Sequence, residues 1–277
     1  MPRALSAEVV RFFNDHGYYA PIPEFGAAEM KHYRQCLADF EAHEGGKITG
    51  QKRNKSHLFL KWLDELVHHP RLLDAVEDII GPNILLFHAQ WFIKEPHTPN
   101  FVSLHQDSAY WGLDRPEGVS AWVAFEDSSP ENGCMQVIPD THKVLLHHVE
   151  RIEPTNMLWR GQTVESAIDQ SKAVDLVLKA GEMSLHHARI VHGSGPNRSG
   201  RRRIGYSIRY ISTAVKREGP RESAGLARGV DEYGNFEIEP RPSRDYDPAA
   251  VKLHEEITSR YMRNYMSAQV ESKRAQA

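Results

Sequence analysis

The feature that most constrains this chain is a change of period at Gly81-Pro82. Before it, apolar residues recur at helical spacing. After it they come in short runs: "NILLFHAQWFIK" (83–94), "GVSAWVAFE" (118–126), "CMQVI" (134–138), "VDLVL" (174–178), "EMSLHHARIV" (182–191) and "RIGYSIRYI" (203–211). These runs are rich in β-branched and aromatic residues and are separated by turn residues such as Asn132-Gly133. Helices first, then many strands without alternating helices, predict an α+β fold built around an antiparallel sandwich or barrel.

The helical part reads in detail. Ser6 can cap a helix that runs to about His16, with Val9, Val10 and Phe13 on one face and Gly17 as its stop. "YYAPI" is a short strand. Residues 27–44 form a second helix, ended by Gly45-Gly46. "HLFLKWLDELVHH" and "RLLDAVEDII" are two short helices divided by Pro70. "DPAAVKLHEEITSRYMRNYM" returns to helix near the C-terminus. Nothing compositional cuts the chain, so one domain is expected over 1–277: a helical part at about 1–80, a strand-rich core at about 82–213, and a tail with a helix at 214–277.

Composition narrows the partners. A net charge of −3, with both signs mixed along the 277 residues, gives no electrostatic reason to expect nucleic acid or a membrane surface. Two cysteines, Cys36 and Cys134, make no disulfide framework, so a reducing cytoplasm is the expected compartment. The N-terminus lacks a signal-peptide core, and no apolar run approaches the ~20 residues that span a bilayer. A small molecule is the expected partner. The sequence leaves the oligomeric state open, a homodimer included.

The chemistry concentrates in "SLHQDSAYW" (103–111). On a strand, residues i and i+2 face the same side, so His105 and Asp107 can point together into a barrel mouth. His192 ends a later apolar strand, just before the turn "GSGPN" (193–197). Two histidines and one carboxylate compose a facial triad that leaves positions open on Fe(II). A structural His–Asp pair at a loop edge has the same composition, and at this point both readings stand. Arg203 follows His192 by eleven residues and enters an apolar run. A strand pairing back beside the first would bring it to the same cavity. A buried guanidinium needs an anion, and a dicarboxylate would be gripped in bidentate fashion.

The string "SLHQDSAYW…SAWVAFEDSSPENGCMQVIPDTHK…HHARIVHGSGPNRSGRRRIGYSIRY" resembles the phytanoyl-CoA dioxygenase family of Fe(II)/2-oxoglutarate oxygenases, and its bacterial small-molecule hydroxylase branch in particular. The resemblance runs from about residue 6 to residue 213. It implies a double-stranded β-helix (jelly-roll) core with N-terminal helices packed on it. It also implies that His105, Asp107 and His192 bind iron, and that Arg203, Ser194 and Trp122 contact 2-oxoglutarate, with O2 as oxidant. The halogenating relatives carry Ala or Gly at the carboxylate position. Asp107 here implies hydroxylation. Two departures stand out: relatives often have Gly-Ser where this chain has Asp140-Thr141, and many carry Ser where this chain has Gly205. The first is expected to adjust a turn, the second to alter the carboxylate clamp.

Further residues are candidates for the substrate. His88 and Gln90 share one face of their strand with Phe92 and Lys94. Tyr110 and Trp111 follow the metal motif and can wall the pocket. Arg209 shares a face with Arg203 and Ser207. Residues 155–170 form a candidate lid, whose Arg160 would bind a substrate anion or cap a helix. This many polar groups suggest a small polar or charged substrate, such as an amino acid, an ectoine-like zwitterion or an aminoalkylphosphonate. Alternatives are an acyl-CoA or natural-product intermediate, or a metal-binding jelly-roll sensor with no enzymatic activity. Of the paired histidines His186-His187, at most one points inward.

Overall fold

The structure is a computed structural model that describes residues 3–274, with side chains through Met266. The chain opens with helix α1 (Ala7–His16). Its start is fixed by the Ser6 hydroxyl, which accepts from the Val9 amide, and its end by Gly17 at φ 83°. Strand β1 (Tyr18–Pro23) and helices α2 (Ala27–His43), α3 (Lys61–Val67) and α4 (Pro70–Ile80) follow. Pro70 takes the first helical position of α4, where its missing amide costs nothing.

The core is two sheets. Strands β2 (Ile84–Lys94), β3 (Val102–His105), β4 (Gly118–Ala124) and β5 (Met135–Ile138) precede a short pair, β6 (His148–Glu150) and β7 (Gln162–Val164). Then come β8 (Val174–Leu176), β9 (Glu182–His187), β10 (Val191–Ser194), β11 (Arg203–Ser212), β12 (Ser223–Arg228), β13 (Glu237–Ile238) and helix α5 (Pro248–Arg274). The larger sheet has the order β1-β9-β4-β11-β2-β12-β13, and the smaller one β3-β10-β5-β8. Every pairing is antiparallel except β12 with β13. Among the described residues no helix is long and apolar enough to cross a membrane.

The period of two decides where the site sits. On β11, Ile204, Tyr206, Ile208 and Tyr210 are buried in the cluster that joins the larger sheet to the helices, together with Trp91 of β2 and Leu63, Leu66 and Val76 of the helices. Each such buried side chain contributes about 1.5–3 kcal/mol of transfer free energy. The alternate residues Arg203, Ser207 and Arg209 face the opposite way and line cavities, as do His88, Gln90 and Phe92 on β2. The larger sheet thus carries an apolar face for the helices and a polar face for chemistry.

Several local expectations are corrected. "EMSLHHARIV" is two strands, not one: β9 and β10 lie in different sheets, and the corner at 188–190 carries neither Gly nor Pro to announce it. The strand of "SLHQD" ends at His105, and Asp107 opens a 3-10 turn instead of continuing it. His192 is the second residue of β10, not its end. β11 does not pair with β10; it pairs with β4 and β2. At Asp140, φ is 69°, a left-handed conformation that Gly adopts freely and a short polar Asp tolerates, so the turn keeps its shape with Asp140-Thr141.

Candidate active site

One cross-strand pairing and one turn bring the three candidate metal ligands together. His192 of β10 pairs directly with His105 at the end of β3, and their rings lie 4.2 Å apart. Asp107 then reaches back from its turn, placing Oδ1 3.5 Å from His105 Nε2. One ligand atom from each of His105, Asp107 and His192 lies within 4.8 Å of the others, and all three residues are buried. The two imidazoles are prepared in the same way. His105 Nδ1 is 2.9 Å from the Ser103 carbonyl, and His192 Nδ1 is 3.0 Å from the Ile190 carbonyl. A carbonyl only accepts, so each Nδ1 carries the proton and each Nε2 presents a lone pair.

Electrostatics keep the set ready for a cation. Burial alone would raise Asp107, but the Arg209 guanidinium and the His105 and His192 rings outweigh it and hold the carboxyl well below its usual range. Burial, then His105, drives His192 well below the ordinary histidine value, so its lone pair stays free. The second carboxylate oxygen of Asp107 accepts from Ser120 Oγ at 3.3 Å and meets Arg209 Nε at 3.5 Å.

Two chambers meet at His105, the first also lined by His192 and the second by Asp107. The first has about 360 Å³ of empty volume and is lined by His105, His192, Ser194, Arg203 and Trp122, among others. Arg203 is 2% exposed, yet its Nε and Nη2 have no hydrogen-bond partner among the described residues. Burial pushes it down to about 10, and its guanidinium lies 5.4 Å from the Trp122 ring centre. A buried cation with two idle donors is costly unless an anion joins it. Ser194 Oγ accepts from Lys94 Nζ at 2.7 Å. Lys94 also donates to the Gly133 and Gly195 carbonyls, and burial with the nearby Arg203 pushes it down to about 6. The residues present therefore fit both groups: the triad offers two nitrogens and a carboxylate to Fe(II), and Arg203 offers a fork to a dicarboxylate.

The second chamber, about 520 Å³, reaches the triad from the other side. His88, Gln90, Tyr110, Trp111 and Arg209 all line it. Arg160 does not reach it as a free cation. It is buried, donates through Nε and Nη2 to Glu150 and through Nη1 to the Tyr265 carbonyl, and lies over the rings of Tyr110 and Tyr265. Within the candidate lid, Met157, Leu158, Trp159 and Gln162 line the chamber.

Some participants escaped the sequence reading. Tyr261, Met262 and Tyr265 of α5 line the second chamber, as does Asn54, whose Oδ1 is 3.3 Å from His88 Nε2. Only helical periodicity marked α5, and "KITGQKRNKS" read as a basic loop, so neither offered a signal. His186 points inward, with its ring 4.8 Å from that of His192, while His187 faces His142.

Fold and site define an Fe(II)/2-oxoglutarate-dependent non-haem oxygenase with a jelly-roll core. The comparisons with known proteins agree. The chain belongs to the phytanoyl-CoA dioxygenase (PhyH) family, whose description matches residues 3–205. A protein of Stutzerimonas stutzeri called probable alpha-ketoglutarate-dependent hypophosphite dioxygenase is 31% identical over 251 residues, 83% of this chain and 84% of that one. The peroxisomal phytanoyl-CoA dioxygenase of Homo sapiens is 34% identical over 151 residues, 52% of this chain and 44% of that one. Among solved structures, the non-heme monooxygenase ThoJ superposes with a TM-score of 0.85 at 29% identity, covering 95% of this chain and 99% of its own.

Proposed function

We propose that this oxygenase hydroxylates a small polar or charged metabolite of amino-acid-like, ectoine-like or aminoalkylphosphonate chemistry. The observation that carries the reading is the second chamber. It opens directly onto Asp107 and His105, and its lining combines His88, Gln90, Gln162 and Arg209 with aromatic rings. A hydrocarbon chain would leave His88 Nδ1 and Gln162 Oε1, buried atoms with no hydrogen-bond partner among the described residues, still unpaired, at about 1–3 kcal/mol each. The name of the Stutzerimonas stutzeri relative, which specifies a small phosphorus oxyanion, supports the same scale and polarity.

The roles divide among the residues. His105, Asp107 and His192 would hold the iron, and Arg203 with Ser194 and Trp122 would hold 2-oxoglutarate. When bound, this pair activates O2 for hydrogen abstraction and hydroxyl return, releasing succinate and carbon dioxide. The chain's own work is positioning and shielding. Arg209 holds the second oxygen of Asp107, the pinned imidazoles keep their lone pairs forward, and the walls of the second chamber limit the water around the substrate. The presence of Asp107 favours hydroxylation over halogenation, because that position is already filled by a protein ligand.

The test is a screen that measures succinate release with small amino acids, cyclic zwitterions, phosphonates and acyl-CoA thioesters. Stimulation by a small polar compound, with a hydroxylated product, is the expected result. Stimulation by acyl-CoA alone would overturn the reading.

A further inference from the structure

The charges around the two chambers do not balance, and the imbalance points at the substrate. Arg209 lines both chambers and is 7% exposed. Its nearest anion is Asp107, at a long 3.5 Å through Nε, and among the described residues nothing bonds its Nη1 or Nη2. Asp107 is also a ligand for the divalent metal. Once the metal shares that carboxylate and the 2-oxoglutarate dianion meets Arg203, the formal charges at the iron centre cancel. Arg209 is then left with one uncompensated positive charge beside the second chamber, and a buried cation in that state is costly.

The rest of the described lining offers no second carboxylate to a positive charge; a ligand ammonium would find only neutral acceptors such as Gln162 Oε1. Asp107 is the only carboxylate among the described residues that line the second chamber, and Arg209 the only guanidinium or ammonium. Aromatic rings can receive an ammonium, but most of those here already have a partner. Tyr110 and Tyr265 lie 4.8 and 5.1 Å from the Arg160 guanidinium, and Trp111 lies 5.6 Å from that of Arg209. Tyr261 stacks on His88 with ring centres 4.6 Å apart. A ligand ammonium would approach fixed cations and find no free carboxylate.

We propose that the second chamber takes its substrate as an oxyanion, a phosphonate, phosphinate or carboxylate, gripped by the terminal nitrogens of Arg209, with the rest of the molecule uncharged. This rests on the small polar metabolite reading above and revises its named classes: amino acids, ectoine-like zwitterions and aminoalkylphosphonates all pair an anionic group with a cationic nitrogen, and the chamber is built for the anionic half alone. The guanidinium fork suits such a group because it offers parallel donors to two oxygens.

The experiment is calorimetric and needs no turnover. The full chain is loaded with Ni(II) and 2-oxoglutarate and titrated with ethylphosphonate, 2-aminoethylphosphonate, propionate, β-alanine and propylamine. Ethylphosphonate and propionate are expected to bind about tenfold or more tighter than their amino counterparts, and propylamine not at all. Arg209→Gln should remove the preference and Arg209→Lys retain part of it. The series on the unmodified chain decides the matter even if either variant folds poorly. Equal or tighter binding of the amino compounds, or no binding of any anion to the loaded protein, overturns the inference. Failure to take up 2-oxoglutarate at all overturns the oxygenase reading beneath it, and the loading step shows this before any probe is added.

Discussion

A β-carbon added to Gly205 would lie 1.8 Å from Cζ2 of Trp122. The two residues sit on neighbouring strands, and the indole occupies the space that a side chain at 205 would need. In this chain that volume belongs to the ring beside Arg203, so the Ser that the family resemblance leads one to expect has no room. Gly205→Ser should displace Trp122 and weaken 2-oxoglutarate binding about tenfold, an overpacking cost of the usual size. A cosubstrate titration followed by absorbance measures it. Unchanged affinity would mean the indole plays no part in the pocket.

Arg203 makes opposite predictions for the free and loaded protein. Its two idle donors in a buried site are a cost that a bound dicarboxylate would relieve. Arg203→Met should leave the metal-free protein at least as stable as the parent. It should also abolish the further shift in melting temperature that saturating 2-oxoglutarate adds to the metal-loaded protein, about 2.7 kcal/mol at a hundredfold excess over Kd. Thermal scans with and without the two ligands check both halves.

Lys94 gives a pH dependence with a defined sign. Its folded value is about 6 against 10.5 for a free lysine. Between these limits the unfolded chain binds one more proton than the folded one, so the lysine's contribution to stability rises with pH across that window. The cost is greatest below pH 6. Lys94→Met should flatten this part of the stability profile, by at most about 1.4 kcal/mol per pH unit near neutrality. Denaturant titrations of both proteins from pH 6 to pH 9 measure the difference. Parallel profiles would show that the ammonium is stabilised by its carbonyl partners after all.

Arg160 ties the candidate lid to the C-terminal helix through Glu150 and the Tyr265 carbonyl, and Gln162 bonds the Tyr265 hydroxyl. Arg160→Ala should loosen this roof, raise KM for the substrate and increase succinate formed per product, because water enters. Breaking a buried pair costs about 3–5 kcal/mol, so stability should fall as well. Coupled assays of succinate against product separate the two effects.

How much of this was legible in the sequence depends on which residues are asked. The switch of period at Gly81-Pro82 announced the architecture, and the alternation of Arg203, Ser207 and Arg209 with Ile204, Tyr206 and Ile208 announced two different faces. The grouping of His105, Asp107 and His192 was readable, but the reasons offered for it were not all right. Asp107 meets His105 through a turn, not along a strand, and Arg203 arrives from the larger sheet, not from a neighbour of β10. Such facts depend on which sheet a strand joins, and local pattern carries no record of that. Tyr261 and Tyr265 were invisible for the same reason: a tyrosine on a helix looks alike whether it roofs a pocket or faces water. Arg160 is the reverse case, a charge that could be read as binding a substrate anion or capping a helix and that does neither: it pairs with Glu150.

The most direct test of the central claim is the anaerobic absorption spectrum of the protein with Fe(II) and 2-oxoglutarate, taken for the parent chain, Asp107→Ala and Arg203→Ala. A visible charge-transfer band should form in the parent. It should be lost or need far more metal in Asp107→Ala, and need far more 2-oxoglutarate in Arg203→Ala. Oxygen should then bleach it as succinate appears. Iron bound by the parent with no such band at saturating 2-oxoglutarate would contradict the account.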